Sequence, residues 1–226
     1  MDLFTTQMLI AANMTPLKML ELMGPGMIET IKIFFLTLIF SLPLGFLITF
    51  GRMSKIKIVK AIFTAYISIM RGTPLMLQLF VVFFGPSIVF KFPIDRFFAV
   101  ILAFSLNYAA YFAEIYRSGI EAMPIGQYEA ANMLGYNKFQ TFFKIILPQV
   151  IKIILPSVTN EIICLVKDTS LAFSIAYLEM FSIAKQLVAS QTSLVPFVIA
   201  AVFFYVFNLL VALVMGWCEK KLNYYK

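Results

Sequence analysis

Long segments without any charged residue divide this sequence. They cover residues 33–51, 72–90, 97–113 and 186–218. Because a helix rises 1.5 Å per residue, about 20 residues are enough to cross a hydrocarbon core about 30 Å thick. Charged residues make up 13% of the chain and residues of the AVILMFWYC set 62%, whereas soluble domains carry about a quarter charged residues. The chain is therefore expected to be an all-α, polytopic membrane protein.

We predict about five transmembrane helices, at approximately residues 28–51, 58–90, 97–119, 149–176 and 194–218. Together they form a transmembrane domain over residues 27–222. The fourth is the weakest of the five, because Lys152, Glu161, Lys167 and Asp168 interrupt it. Residues 1–26 contain Pro16, Gly24 and Pro25 and are expected to form an extracytoplasmic or interfacial arm. Residues 223–226 form a short cytoplasmic tail.

The basic residues favour five spans with the N-terminus outside and the C-terminus in the cytoplasm. With that topology the inside segments hold Arg52, Lys55, Lys57, Lys60, Arg117, Lys138, Lys144, Lys152, Lys220, Lys221 and Lys226. The outside segments hold only Lys18, Lys91, Arg96 and Lys185. This asymmetry agrees with the preference of basic residues for cytoplasmic loops. A four-span topology would place the last three lysines outside.

Several catalytic chemistries are absent from this sequence. It contains no histidine and only two cysteines, Cys164 and Cys218, without CxxC spacing, so histidine-based catalysis and histidine–cysteine metal sites are excluded. No two glycines have the spacing of a G-x-x-x-x-G-K-[ST] phosphate loop. We expect no catalytic residue, metal site or cofactor in this chain. If ATP and magnesium are used, a partner chain binds them.

The segment between the third and fourth spans, residues 121–147, has the pattern of a short helix between two turns. Pro124 and Gly126 end the preceding helix, and Gly135 is placed as the C-terminal cap of a helix of about two turns. Asn137, with Gln140 three residues later, predicts the start of the next helix through a capping box. The pattern indicates a small helix lying parallel to the bilayer on its cytoplasmic side, although an ordinary amphipathic loop has the same features.

The same segment resembles the cytoplasmic motif of permease subunits in binding-protein-dependent ABC importers. That motif is Glu-Ala-Ala, three residues, Gly, nine residues, Ile-x-Leu-Pro. It is matched here by Glu129, Ala130, Ala131, Gly135, Ile145, Leu147 and Pro148. Three further segments resemble the subgroup that takes up polar amino acids: Arg71–Leu75, Ala113–Ile120 and Lys167–Leu171. The resemblance covers about residues 27–222 and departs at Ser118, where relatives often carry glycine.

The resemblance implies a role and partners for the chain. It is expected to be a dimer, with itself or with a paralogous permease, in a prokaryotic plasma membrane. Two cytoplasmic ABC ATPase subunits and an extracytoplasmic amino acid-binding protein complete the importer. The short helix would dock on the ATPase through Glu129, Ala130, Ala131 and Gly135, so that the loop couples ATP hydrolysis by the partner to the spans. The chain itself would not be an enzyme, and no nucleic acid partner is expected.

A polar stripe marks the third span. Asn107, Tyr111 and Glu114 are spaced i, i+4 and i+7, so they lie on one face of a helix. Ionisable residues at membrane depth are costly and therefore mark candidate functional sites. The stripe is expected to line a solute path, with Glu114 holding a substrate ammonium group. The alternative is a local ion pair between Glu114 and Arg117.

Further candidates for the path lie in the second and fourth spans: Arg71, Gln78, Glu161, Lys167 and Asp168. Gly72 and Pro74 are expected to loosen the second span. The adjacent charges of Lys167 and Asp168 favour either an interruption of the fourth span or a partner for the lysine from elsewhere in the protein. A broken helix at membrane depth presents backbone groups that can bind a zwitterion. The alternative is a scaffold of salt bridges between helices.

The sequence therefore indicates the permease subunit of an ATP-driven importer for polar amino acids. The balance of acids (Glu114, Glu161, Asp168) and bases (Arg71, Arg117, Lys167) in or beside the spans favours a zwitterionic solute. The alternatives are an importer of another small polar solute, a gradient-driven secondary carrier that relays ions through the same acids, and a scaffold or sensor that moves nothing.

Overall fold

A computed structural model describes residues 14–222 of the chain, and this part is helical without a strand. The α-helices are α1 (Pro16–Arg52), α2 (Lys57–Gly72), α3 (Leu75–Phe90), α4 (Arg96–Glu121), α5 (Ile125–Met133), α6 (Lys138–Gln140), α7 (Leu147–Asp168), α8 (Met180–Gln191) and α9 (Val195–Leu222). A π-helix, Thr141–Ile146, joins α6 to α7, and a 3-10 helix, Thr169–Ile175, follows α7. The all-α class predicted from the sequence is confirmed.

Within residues 14–222, four helical segments are long and apolar enough to cross a membrane: Pro16–Arg52, Arg96–Glu121, Lys138–Ile175 and Val195–Leu222. A fifth crossing is formed if α2 and α3 count as one span, although the pair is bent by 111°. The bend lies at Gly72–Pro74, as the sequence predicts. Thr73, which precedes the proline, is extended with φ −122° and ψ 148°, because a following proline disfavours the helical conformation. The chain is a multi-pass membrane protein.

The first helix begins earlier than the sequence suggests. Residues 16–26, expected as part of an arm outside the transmembrane domain, continue α1 without a break. The cause is tertiary packing, which overrides the low helix propensity of Gly24 and Pro25. Met23 is fully buried in a cluster with Met180, Ala184 and Ala200. The remainder of the expected arm, residues 1–13, lies outside the described residues, as does the tail.

The chain divides into two compact units. Unit 1 consists of Met1–Thr37, Leu75–Ala103 and Cys164–Leu210, and unit 2 of Leu38–Pro74, Phe104–Ile163 and Val211–Lys226. The core of unit 1 is the methionine cluster around Met23. The core of unit 2 joins α1, α2 and α4 through Ile48, Ile67, Ala109, Ala110 and Ala113.

A glycine sets the spacing of α1 and α4 in unit 2. A methyl group built on Gly45 would lie 2.9 Å from the β-carbon of Phe112 and 3.0 Å from the carbonyl oxygen of Ala109. The hydroxyl of Thr49, one turn later, donates to the carbonyl of Ala113 at 3.0 Å. The two backbones therefore approach as closely as small residues permit in membrane helices.

Replacing Gly45 by alanine should destabilise the protein. The added methyl group has no space between α1 and α4, and overpacking of this kind costs about 1–3 kcal/mol. Gly216→Ala in α9 is the matched control, because nothing lies within 4 Å of its added methyl group. Thermal unfolding of purified protein in nanodiscs should show a lower Tm for Gly45→Ala and no decrease for Gly216→Ala. Equal midpoints for the two variants would contradict this packing.

Candidate functional site

The short helix of the loop is α5, which packs against the π-helix. Its buried residue is Ala131, while Glu129 and Ala130 are exposed. A residue with a larger side chain than Ala131 would push α5 away from the structure beneath it. The sequence Glu129-Ala130-Ala131 thus places a carboxylate on the outer surface and a small residue on the inner one.

Backbone hydrogen bonds fix both ends of the turn after α5. Gly135 has φ +77°, a conformation that glycine adopts without strain. Its N–H donates to the carbonyl of Asn132, and the N–H of Tyr136 donates to the carbonyl of Ala131, which together form a Schellman motif. Asn137 and Gln140 then form the predicted capping box. The predicted C-terminal cap and helix start are both confirmed.

A cleft of about 550 Å³ opens beside α5. Its lining includes Glu129, Asn132 and Lys138, together with Tyr128, Tyr136, Thr141 and Phe142. Nearby, Met133 is 88% exposed, Leu134 74% and Phe139 70%. Exposed apolar side chains grouped around a cleft mark a surface that binds another protein or a membrane.

Three of the predicted path residues meet in unit 2. Asn107 is only 4% exposed, and its side-chain amide donates to the carbonyl of Met70 at 3.0 Å. The guanidinium of Arg71 lies over the ring of Tyr111, 5.3 Å from its centroid. Asn107 therefore satisfies a carbonyl at the end of α2, where the helix breaks, and Tyr111 holds the charged residue beside it.

Glu114 forms the local ion pair that the sequence allowed as an alternative. Its Oε1 accepts from Arg117 Nε at 3.0 Å and also contacts the guanidinium Nη2. Arg117 in turn pairs with Glu121. The second oxygen of Glu114, Oε2, is buried and has no hydrogen-bond partner among the described residues. The carboxylate thus has one oxygen engaged on its own helix and one buried oxygen available to another donor.

The Lys167–Asp168 motif lies at a change of helix type, as predicted. Helix α7 ends at Asp168, and the chain continues as a 3-10 helix. The hydroxyl of Thr169 donates to the carbonyl of Val166 and that of Ser170 to the carbonyl of Lys167, both at 2.7 Å. These two hydroxyls bind carbonyls in the last turn of α7.

The predicted path residues are divided between the two units. Arg71, Asn107, Tyr111, Glu114 and Glu161 belong to unit 2, and Gln78, Lys167 and Asp168 belong to unit 1. Within unit 1, helix α3, which carries half-buried Gln78, packs against the 3-10 helix that follows Asp168. Lys167 is exposed, whereas Glu161 and Asp168 are half-buried.

The sequence analysis missed one buried carboxyl group. Glu179 is 0% exposed and caps α8, where its two oxygens accept from the N–H groups of Phe181 and Ser182 at 2.7 Å each. Burial raises the pKa of this carboxyl from 4.5 to about 7, although the two backbone N–H donors oppose the shift. One feature of the sequence could have drawn attention to this residue: Glu179 is the one acidic residue between Asp168 and Glu219.

Residues 41–224 match the family model of binding-protein-dependent transport system inner membrane components. Three similar proteins are bacterial permeases. The L-cystine transport system permease TcyB of Bacillus subtilis (strain 168) is 36% identical over 207 residues, covering 90% of this chain and 88% of that protein. The arginine transport system permease ArtQ of the same organism is 37% identical, covering 88% and 91%. A putative glutamine transport system permease, GlnP of Rickettsia bellii (strain RML369-C), is 35% identical, covering 87% and 91%.

Two solved structures have the same fold. A crystal structure of an amino acid ABC transporter with histidines superposes with a TM-score of 0.83 at 32% identity, covering 92% of this chain and 99% of that one. A chain of the inward-facing MetNI methionine ABC transporter superposes with a TM-score of 0.75, covering 91% and 98%. The second is 19% identical, so it supports the fold alone.

The buried carboxyl of Glu179 should make the stability of the protein depend on pH. Because its pKa is raised in the folded state, folding takes up a proton. The stability this contributes is full below pH 4.5 and is lost as the pH rises through about 7. Wild-type protein should therefore lose about 2–3 kcal/mol of stability between pH 5 and pH 8 from this group.

Glu179→Gln removes the titrating group and should flatten this part of the pH dependence. Thermal unfolding of the two proteins across pH 5–8.5 measures the difference, with exposed Glu21→Gln as the control that retains the wild-type slope. If Glu179→Gln also retains that slope, the carboxyl does not titrate in this range.

Proposed function

The chain belongs to the family of binding-protein-dependent transport system inner membrane components, and on that basis we propose that it is the permease subunit of an ATP-driven importer for polar amino acids. The similar proteins named above are permeases for cystine, arginine and glutamine. They cover nearly the full length of this chain, including the loop and every candidate path residue. Polar amino acids share an ammonium and a carboxylate group, so a path that carries both signs of charge suits them.

ATP hydrolysis in this proposal belongs to a separate ATPase, which binds the ATP and magnesium. One observation carries the coupling: Glu129 is exposed on a short helix whose C-terminal end is closed by a Schellman motif, and a capping box starts the next helix two residues after Gly135. A rigid, exposed carboxylate beside a cleft of about 550 Å³ suits a partner surface with basic or hydrogen-bonding groups. The small side chains of Ala130 and Ala131 permit close approach of neighbouring surfaces to the helix. Gly135 permits the sharp turn that presents the helix to the ATPase.

The proposed assembly contains two ATPase subunits, a second permease chain and an extracytoplasmic binding protein. Most of the apolar surface of α9 is exposed, which leaves a face for lipid or for the second permease chain. We place the N-terminus outside and the C-terminus in the cytoplasm of a prokaryotic plasma membrane. The basic residues Arg52, Lys55, Lys57 and Lys60 before α3, and Lys220 and Lys221 at the end of α9, support this orientation.

The solute path in this proposal includes the polar residues of unit 2 at the end of α2 and on α4. Arg71 is exposed and held over Tyr111 at the break between α2 and α3, where it is positioned to bind a carboxylate. The buried Oε2 of Glu114 suits an ammonium group. ATP binding would draw the loops of the two permeases together and open the spans outward, and hydrolysis would return them to the inward state.

Reconstitution tests the function directly. The chain is placed in proteoliposomes with its cognate ATPase, and uptake of labelled cystine, arginine and glutamine is measured with and without internal ATP and the binding protein. We expect uptake of at least one amino acid that requires all three components. Uptake that ignores ATP and follows an ion gradient would instead identify a secondary carrier. Failure of all three amino acids while another polar solute is imported would reject only the substrate class.

The coupling role of the loop is tested by Glu129→Ala. Because the carboxylate is exposed and forms no hydrogen bond or ion pair with the residues that the structure describes, this variant should insert and unfold as the wild type does. Loss of one charge-assisted contact, worth about 1.5–3 kcal/mol, should weaken binding of the ATPase at least tenfold. Co-purification and titration of the ATPase measure this, with Glu21→Ala as an exposed control. Wild-type affinity and uptake in Glu129→Ala would remove the loop from the coupling mechanism.

A further inference from the structure

Aromatic rings form a continuous series of contacts that starts at the loop. Phe139, 70% exposed beside the cleft, has its ring centroid 4.3 Å from that of Phe143. The ring centroid of Phe143 lies 5.1 Å from that of Phe142. Phe142 lies 5.8 Å from Phe50 and 6.3 Å from Phe46 on α1. All these separations are within the range of direct aromatic contact.

The series continues from α1 along α4. Phe46 lies 6.1 Å from Tyr116, and Tyr116 stacks on Phe112 at 6.3 Å. Phe112 lies 6.2 Å from Tyr108, and Tyr108 lies 6.2 Å from Tyr111. We call the rings from Phe139 to Tyr111 the aromatic chain. Every member belongs to unit 2.

The far end of the aromatic chain lies at the break after α2. Tyr111 carries the guanidinium of Arg71 over its ring. Asn107, one turn earlier on the same face of α4, binds the carbonyl of Met70. A displacement of Tyr111 along or around α4 therefore changes both of these contacts with the end of α2.

An apolar cavity of about 290 Å³ lies beside the middle of the chain. Phe46 and Tyr116 form part of its wall, together with Ile120, Leu147 and Val150. Protein interiors are otherwise close-packed, so a displaced ring must displace its neighbours. The cavity gives Phe46 and Tyr116 space to adopt a second packing arrangement, which a conformational transition between two packed states requires.

The π-helix determines which rings enter the chain. The N–H of Leu147 donates to the carbonyl of Phe142, five residues earlier, so the extra residue in this turn changes the direction of the side chains. Phe142 contacts α1, while Phe143 and Phe139 face the loop surface. The π-helix ends at Ile146, two residues before Pro148, which has no N–H to donate.

We propose that the aromatic chain is the mechanical link through which movement of the loop reaches Arg71 at the break between α2 and α3. The inference rests on the proposed function, because it assigns a route to the coupling that this function requires. Phe46 and Tyr116 are positioning residues: they bind neither ATPase nor solute, and they transmit displacement through ring contacts and the adjacent cavity.

The test uses the reconstituted importer and measures amino acid uptake per ATP hydrolysed. Phe46→Leu removes the ring that joins α1 to Tyr116, and Ile120→Phe fills the cavity. Both should lower uptake per ATP at least fivefold while binding of the ATPase stays within twofold of wild type. Phe46→Tyr keeps the ring and should retain most of the coupling. Phe203→Leu is the matched control, because Phe203 contacts Phe204 and Phe207 in unit 1 and lies outside the chain.

The outcomes separate this inference from the proposed function. Wild-type protein without ATP-dependent uptake would reject the function itself. Wild-type protein that imports normally, with unchanged uptake per ATP in Phe46→Leu and Ile120→Phe, would reject the aromatic chain alone. The Tm of each variant shows whether it is folded. If Phe46→Leu is destabilised, the test relies on Ile120→Phe and on a double-mutant cycle between Tyr116→Leu and Arg71→Gln. Additive effects on uptake per ATP would show that the two sites are independent and would reject the aromatic chain, whereas non-additive effects would support it.

Discussion

Backbone polar groups without partners are the main constraint on this fold, because hydrocarbon offers none and each unsatisfied group costs several kcal/mol. The break at Gly72–Pro74 separates α2 from α3 and leaves carbonyls of α2 without helical partners. The amide of Asn107 binds one of them, at Met70. At the end of α7, where the helix type changes, the hydroxyls of Thr169 and Ser170 likewise bind carbonyls of the last turn. The polar residues near these breaks are thus structural requirements as well as candidates for binding solute.

The sequence predicts local features of this molecule well. Gly135 and the Asn137–Gln140 pair each determine a conformation through their own backbone and side-chain chemistry, so the turn after α5 follows from a few residues. The break at Gly72–Pro74 was predictable for the same reason. The resemblance in the loop also identified the family, because several fixed positions recur over a short segment.

Features that depend on distant contacts were not predictable. Residues 16–26 are helical because Met23 packs against residues more than 150 positions away. Gly26 similarly permits α1 to approach Glu179 and Met180, since an added methyl group would lie 3.0 Å from their backbone atoms. The burial of Glu179 follows from that approach and has no local pattern. For Glu114 the spacing allowed both a solute role and an ion pair with Arg117, and the pair is present in the structure.

Rigidity and free space lie in different parts of unit 2, and the proposed coupling requires both. The loop is fixed at Gly135 and Asn137, so a force on α5 is not absorbed by bending of its own turns. Gly45 and Thr49 hold α1 against α4, which keeps these two helices together as they move. The cavity beside Phe46 is where the packing can change. A close-packed core at this position would resist displacement of the rings, and a flexible loop would not transmit the movement of α5 to them. Small residues and aromatic rings of the core therefore determine which parts of unit 2 are rigid and which can repack. The charged residues of the proposed solute path do not determine this alone.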